Sequence, residues 1–368
     1  DQTWVDPGVP YYVPQNLYLV AKLTIEAGTK FDFADQRGLD VDGGHLVVAG
    51  TDEEPVAMRG DTSERGYWQG IRFRNTTAAN ELERVVVKDA GGQLWHGADY
   101  SKAGVFVAGD DVMVTLRHCT IANNDVCGVT ATGTGYDVTV DACEFTGNVE
   151  PLRLHADLLE NVSANNAFSG NDGSFVRIGI SGARSNVLRD VTWPALDVPY
   201  RLDRDLSVRA DLTIEPGTTV EADAERSPGG NITIDVPGKH GGALTADASD
   251  DEPIVFTASK KQPGAWGGVH FSTQRSANVL HNVVVEYGGG ELNNGDLESK
   301  ACVVEWVYGA TASATLNEVT LRGSAKHGIY KECDSALSCS DLAFENISGA
   351  NIWDAGEEAP VSGCGSTC

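Results

Sequence analysis

The sequence is poor in methionine, with two in 368 residues, and poor in cations, with 27 Lys and Arg against 53 Asp and Glu. The resulting net charge of −26 argues against nucleic acid or an anionic membrane surface as a partner, because phosphate binding needs clustered Lys or Arg. No apolar run reaches 18 residues, so no helical membrane span is written here. The eight histidines show no HxH or HExxH spacing and the eight cysteines no CxxC, which removes the usual zinc-site signatures. Windows favouring helix are nearly absent.

What is present is strand and turn. Short runs of Val, Ile, Leu, Phe and Thr are separated by Gly, Asn, Asp and Ser, with 42 glycines in all, the pattern of an all-β chain. The length alone would suggest two or three domains, but a solenoid escapes that expectation because it grows by adding turns.

Internal repeats decide the architecture. LTIEAGT at 23–29 returns as LTIEPGT at 212–218, and GGHLVVAGTDEEPV at 43–56 as GGALTADASDDEPI at 241–254. WQGIRF at 68–73 matches WGGVHF at 266–271, and VVVKDAGG at 85–92 matches VVVEYGGG at 283–290. The offset rises from 189 to 198 between the first two pairs, placing an insertion between Thr218 and Gly241. A shorter period lies within each copy. ANN, TGN and SGN end at Asn124, Asn148 and Asn171, a spacing of about 23 residues that suits one turn of a three-walled β-helix. Stacked turns would pair strands about 4.8 Å apart and line these asparagines up as a hydrogen-bonded ladder. The expectation is a right-handed single-stranded parallel β-helix of roughly 11–14 turns. It would be one continuous domain over 1–368, with repeat unit one at about 13–197, repeat unit two at about 198–350 and a Cys-containing tail at 351–368. Both ends of the solenoid are expected to be covered, by the N-terminal YYVPQNLYL segment and by the tail.

The succession LTIEPGT, DEPIVFT, WGGVHF and NVVVEYGGG, with the link VTWPALDVPYRLDRDLSVRADLTIEPGTTV at 191–220, resembles the right-handed parallel β-helix surface lipoproteins and secreted proteins of myxobacteria and related bacteria. The resemblance implies a secreted or outer-surface location and a lipid anchor upstream of the first residue. It carries no catalytic motif that could be transferred.

Chemistry is sparse. Trp95, His96, Asp99 and Tyr100 lie in the loop GGQLWHGADYSKAG at 91–104, whose counterpart at 289–302 has no tryptophan. An aromatic face with acidic and polar neighbours suits a sugar ring, so these four are the candidate ligand-binding residues; a loop aromatic folded back on the wall is the alternative. His96, Tyr100 and Lys102 are the weak catalytic candidates, as bases for β-elimination on an acidic polysaccharide. Lys102 recurs as Lys300 in a repeated Ser-Lys pair, which points to structure. Arg72, Arg74, Arg84 and Lys88 on preceding strands could line the same wall. Asp40 and Asp42 in DVDGG are weak metal candidates, with Ca²⁺ the ion that alternating carboxylates would hold; no other cofactor is expected. The duplicated Trp68 and Trp266 read as packing residues. Cys333 with Cys339 and Cys364 with Cys368 are disulfide candidates, arranged as local pairs suited to an oxidising compartment. Cys119, Cys143 and Cys302 fall within strands and read as inward thiols. The functional expectation is a binding protein for carbohydrate or a cell-surface partner. A polysaccharide lyase or glycoside hydrolase and a passive envelope spacer are the alternatives.

Overall fold

The computed structural model describes the chain except residues 77, 96–100, 110, 134, 180–184, 227–231, 239–240, 250, 274, 276, 292–298, 306–311, 333–335 and 366–368. The described residues form two compact units, residues 1–177 with 196–198, and residues 178–195 with 199–368. Each is a parallel β-helix.

In the first unit three strands make a turn. Gln2–Trp4, Tyr11–Val13 and Leu17–Leu19 open the series, Lys22–Glu26, Lys30–Phe33 and Gly38–Asp42 follow, and Tyr136–Asp141, Glu144–Thr146 and Glu150–Leu154 form the sixth turn. Equivalent strands of successive turns pair in parallel, giving three walls. The register is in line, so side chains stack in rows. Leu39, Ile71, Val105, Val129 and Leu152 form one inward row of the third wall, and Val41, Phe73, Val107, Ala131 and Leu154 another. All are buried. Between these rows Asp40, Arg72, Phe106, Thr130 and Arg153 point outward. Aromatic rings also stack from turn to turn, Phe33 on Trp68 at 4.2 Å and Phe145 on Phe168 at 5.1 Å.

The corners explain the repeated motifs. A single left-handed residue turns the first wall into the second, Arg84, His118 and Ala142 at φ of 50°, 52° and 50°. A non-glycine residue pays roughly 1–2 kcal/mol for that conformation, which the stacking above and below holds in place. In ANN, TGN and SGN the middle residue is the left-handed one, Asn123, Gly147 or Gly170, where Asn and Gly cost least. The following asparagine builds the expected ladder. Asn148 Oδ1 accepts from the backbone N–H of Asn124 at 3.1 Å and its Nδ2 at 2.9 Å, and Asn171 Oδ1 does the same for Asn148 at 3.0 and 2.9 Å. Each amide also donates to a carbonyl of the turn above, Asn148 to Ile121 and Asn171 to Phe145.

The second unit repeats this plan. Its first two walls fuse at Val279–Glu286 and Ser313–Arg322, kinked at left-handed Asn282 and Glu318. Trp68 and Trp266 are both buried and donate alike, to the carbonyls of Lys88 and Glu286 at 2.7 Å each. Thr233 pairs with Gly268 as Gly38 pairs with Gly70, so the insertion falls on both sides of strand Thr233–Val236. One inward row departs from the first copy. Where the first unit has Val107, Ala131 and Leu154, the second has Glu305, Lys331 and Asp354 in register. Lys331 and Asp354 are fully buried and joined by a salt bridge. Burying such a pair is tolerable only because each satisfies the other.

At the C-terminal end the tail covers the edge of the third wall. It turns back so that Trp353 and Asp354 pair antiparallel with Pro360 and Ala359, and the carbonyl of Gly365 lies 3.4 Å from Lys331 Nζ. Cys339 and Cys364 are disulfide-bonded, with Cα atoms 5.8 Å apart. The bond therefore joins strand Ala336–Ser340 to the returning tail rather than closing either local pair; Cys333 and Cys368 lie outside the described residues. At the N-terminal end the expectation is corrected. Tyr11–Val13 and Leu17–Leu19 do not cover the first turn, they are strands of it, and Val5, Val9, Tyr12, Tyr18 and Val20 are exposed. The edge strands are only three residues long, which limits the template they offer for edge pairing.

Asn148→Ala removes the acceptor for two buried donors of Asn124. It should cost about 3 kcal/mol in urea unfolding, while Asn165→Ala, at an exposed turn, should be close to neutral; equal losses would refute the ladder as the source.

Candidate functional site

The outer face of the third wall in the first unit gathers most of the polar chemistry. Asp40 is fully buried although it faces outward, because two guanidinium groups close over it. Arg72 Nε donates to its Oδ1 at 2.9 Å, and the rest of the Arg72 fork reaches Oδ2. Arg74 donates to Asp40 Oδ2 at 3.2 Å and to Asp42 Oδ2 at 2.7 Å. Asn75 Nδ2 donates to Asp42 Oδ1 at 2.8 Å. Burial alone would raise the Asp40 pKa, but the hydrogen bonds from Arg72 and Arg74 outweigh it and hold the carboxyl below its ordinary 3.8. Two carboxylates and two guanidiniums leave the cluster neutral.

Trp95 belongs to this cluster. Its ring lies under the Arg72 guanidinium, 4.7 Å from centroid to Cζ, and its carbonyl accepts from Arg72 Nη1 at 3.2 Å. It packs on the apolar patch of Ala103, Phe106 and Cys127. A Cβ at Gly38 would sit 2.6 Å from the ring, so glycine there admits the indole against the wall. The loop aromatic is thus folded back, with one face taken by Arg72. Its Nε1 is buried without a hydrogen-bond partner among the described residues.

His96, Asp99 and Tyr100 lie outside the described residues. Lys102 is half-buried beside fully buried Ser101, and Lys300 repeats this beside Ser299, in keeping with the structural reading of the Ser-Lys pair. Of the other basic residues, Arg84 pairs with Asp52 at 2.5 Å and Lys88 lies 3.8 Å from Asp89. Both oxygens of Asp40 are occupied by arginine, so a Ca²⁺ ion there would have to displace it. Among the described residues no group of three or more His, Cys, Asp or Glu side chains is assembled for a metal. Cys119, Cys127, Cys143 and Cys302 are free and buried.

Sequence reasoning missed Tyr18. It stands next to Asp40 in register on the outer face of the same wall and is 62% exposed. Asn16, two residues earlier, accepts from the Gly38 N–H at 3.2 Å, so Tyr18, Asn16, Gly38 and the Trp95 ring are contiguous. The signal was the alternation of L-Y-L, which puts the tyrosine on the opposite face from two leucines.

In the second unit the matching outward row is Asp235, His270, Val304, Tyr330 and Trp353. Val304 and Tyr330 pack with Ala301, Trp353 and Ala355, and burial pushes His270 down to about 4. A different wall carries the charge here. Arg201, Glu221, Thr257, Glu286 and Arg322 line up outward in register. Arg201 holds Glu221 at 2.7 Å, Arg322 holds Glu286 at 2.5 Å, and Lys261 Nζ lies 4.0 Å from Glu221 and 3.8 Å from Glu286.

A family model described as a pectate-lyase-like beta helix domain matches residues 185–320, a stretch almost wholly in the second unit that includes Arg201, Glu221, Thr257 and Glu286 of this row. No curated protein matches the chain.

Asp40→Asn should cost roughly 2–4 kcal/mol at pH 7 by leaving two guanidiniums without their shared anion. Because the folded pKa is depressed, the contribution of Asp40 is fully present above the unfolded value of 3.8 and is lost as pH falls through the lower folded value. The gap between wild type and variant in denaturant unfolding should therefore be constant above about pH 5 and shrink below about pH 4; a gap that widens on acidification would contradict the pairing.

Proposed function

We propose that this is an exported β-helix protein that binds neutral carbohydrate without turning it over, on the outer face of the third wall of its first unit. The observation that carries the reading is Tyr18, an exposed ring beside a set of polar groups already held in place by one another. A tyrosine face stacks on the apolar C–H face of a sugar. Asp42, Arg74 and Asn75 alongside supply acceptors and donors for hydroxyls, and their mutual salt bridges remove much of the entropic cost of ordering them on binding. The neutral cluster, in a chain of net charge −26, offers a polyanion no electrostatic gain. Export is supported by the Cys339–Cys364 disulfide, which belongs to an oxidising compartment. A cell-surface anchor would keep the wall displayed.

A second reading rests on Glu221 and Glu286. Two buried carboxylates flanking one lysine, within the stretch that matches a pectate-lyase-like helix, are the kind of pair a glycosidase requires. Both carboxylates are tied to arginines, which favours structural roles over catalytic ones.

Titration of neutral and acidic oligosaccharides into wild type and Tyr18→Ala separates these readings. Neutral glycans should bind wild type, and the variant should lose about tenfold in affinity. Unchanged binding in Tyr18→Ala, or hits confined to acidic glycans, would refute the site. Release of new sugar ends that stops in Glu286→Gln would replace it with the hydrolytic reading.

A further inference from the structure

The corner between the first and second walls of the first unit stacks two thiols. Cys119 and Cys143 follow the left-handed residues His118 and Ala142 on adjacent turns, and Thr120 pairs with Glu144 immediately after them. The two cysteines therefore sit one above the other. Cys143 Sγ accepts the backbone N–H of Cys119 at 3.4 Å, and one turn further Asn166 Oδ1 accepts the N–H of Cys143 at 2.8 Å. Sulfur thus takes the place in this corner ladder that asparagine holds below. The Cys119 thiol reaches the Leu82 carbonyl at 3.2 Å and the Cys143 thiol that of Leu116 at 3.6 Å. Both residues are buried and neither is bonded to another cysteine.

Packing does not require sulfur here. At the equivalent corner positions of the second unit, after left-handed Glu318 and Asp341, stand Val319, buried, and Leu342, half-buried. The second copy fills these positions with aliphatic side chains, and only the first places thiols on two successive turns.

We infer that Cys119 and Cys143 are an oxidisable pair that closes to a disulfide between neighbouring turns. Stacked positions lie about 4.8 Å apart, inside the Cα range a disulfide spans. The reaction is thiol–disulfide exchange with a small-molecule disulfide such as oxidised glutathione. One thiol loses its proton and attacks the oxidant, expelling one glutathione thiolate. The second then attacks the mixed disulfide and expels the other, so two thiols and one disulfide become one disulfide and two thiols. The hydrogen bond from Cys119 lowers the Cys143 pKa, and the same bond together with burial raises that of Cys119. The closed bond would tie two turns together across 24 residues, and the sulfurs keep the lone pairs that accept the corner N–H groups.

The test folds the full chain in a glutathione redox buffer, traps free thiols with iodoacetamide in denaturant and cleaves before aspartate. Cleavage at Asp111, Asp125, Asp137 and Asp141 places Cys119, Cys127 and Cys143 on separate peptides. The expected result is a Cys119–Cys143 cross-linked peptide with Cys127 carrying the alkyl group. Cys127 is equally buried, and burial pushes its pKa to about 11. The Cys339–Cys364 bond, formed in the same tube, confirms that the buffer oxidises. Alkylated Cys119 and Cys143 beside an intact Cys339–Cys364 bond would overturn the inference, as would glutathione on either cysteine without the cross-link.

Discussion

Everything in this protein depends on in-register stacking of one turn on the next. A turn of about 23 residues cannot bury its apolar face or pair its backbone alone, so each strand is completed by the strand above it. The register then forces every residue to share its surroundings with its equivalents one turn away. Apolar rows such as Leu39, Ile71, Val105, Val129 and Leu152 are the direct result. A buried polar group survives only if the next turn answers it, and Asn148 and Asn171 do so with a side-chain amide that accepts two donors from above and donates to a carbonyl there.

The same rule sorts the charges. Outward-facing carboxylates are buried by neighbours on adjacent turns: Asp40 by Arg72 and Arg74, Glu150 by Arg177 (with Arg153 of its own strand), Glu221 by Arg201, Glu286 by Arg322. These cations are largely spent inside their own pairs, which leaves little free positive charge for an acidic ligand. The walls have diverged between the copies. In the first unit the ion cluster lies on the third wall, next to Tyr18 and Trp95. In the second it lies on the wall of Glu221 and Glu286, while the third wall carries His270, Tyr330 and Trp353.

The duplicated tryptophans, the Asn spacing of 24 and 23 and the strand motifs were legible as architecture because they recur at every turn or in both copies. The candidate site was legible only in part. Trp95 stood out as an unduplicated aromatic, yet its packing against Gly38 and under Arg72 joins residues 57 and 23 positions away, and nothing local announces either contact. Asp40 and Asp42 looked like half a cation site, since a carboxylate-rich turn reads the same whether its partner is a metal ion or an arginine one turn away. Tyr18 was passed over because one tyrosine in a three-residue strand carries no motif.

The sequence by itself determined the parallel β-helix, the inward and outward alternation along each strand, the corner asparagines and the buried thiols, because period and polarity are properties of the chain read in order. Tertiary structure alone decided which charges neutralise one another, that Cys339 bonds Cys364 across the returning tail, and that Lys331 and Asp354 sit paired in a row whose counterpart in the first unit is apolar. Those outcomes depend on which residues the winding places one turn apart, and a pairing distance of a few ångströms between residues 20 to 35 positions apart is set by register, which a single turn read alone does not contain.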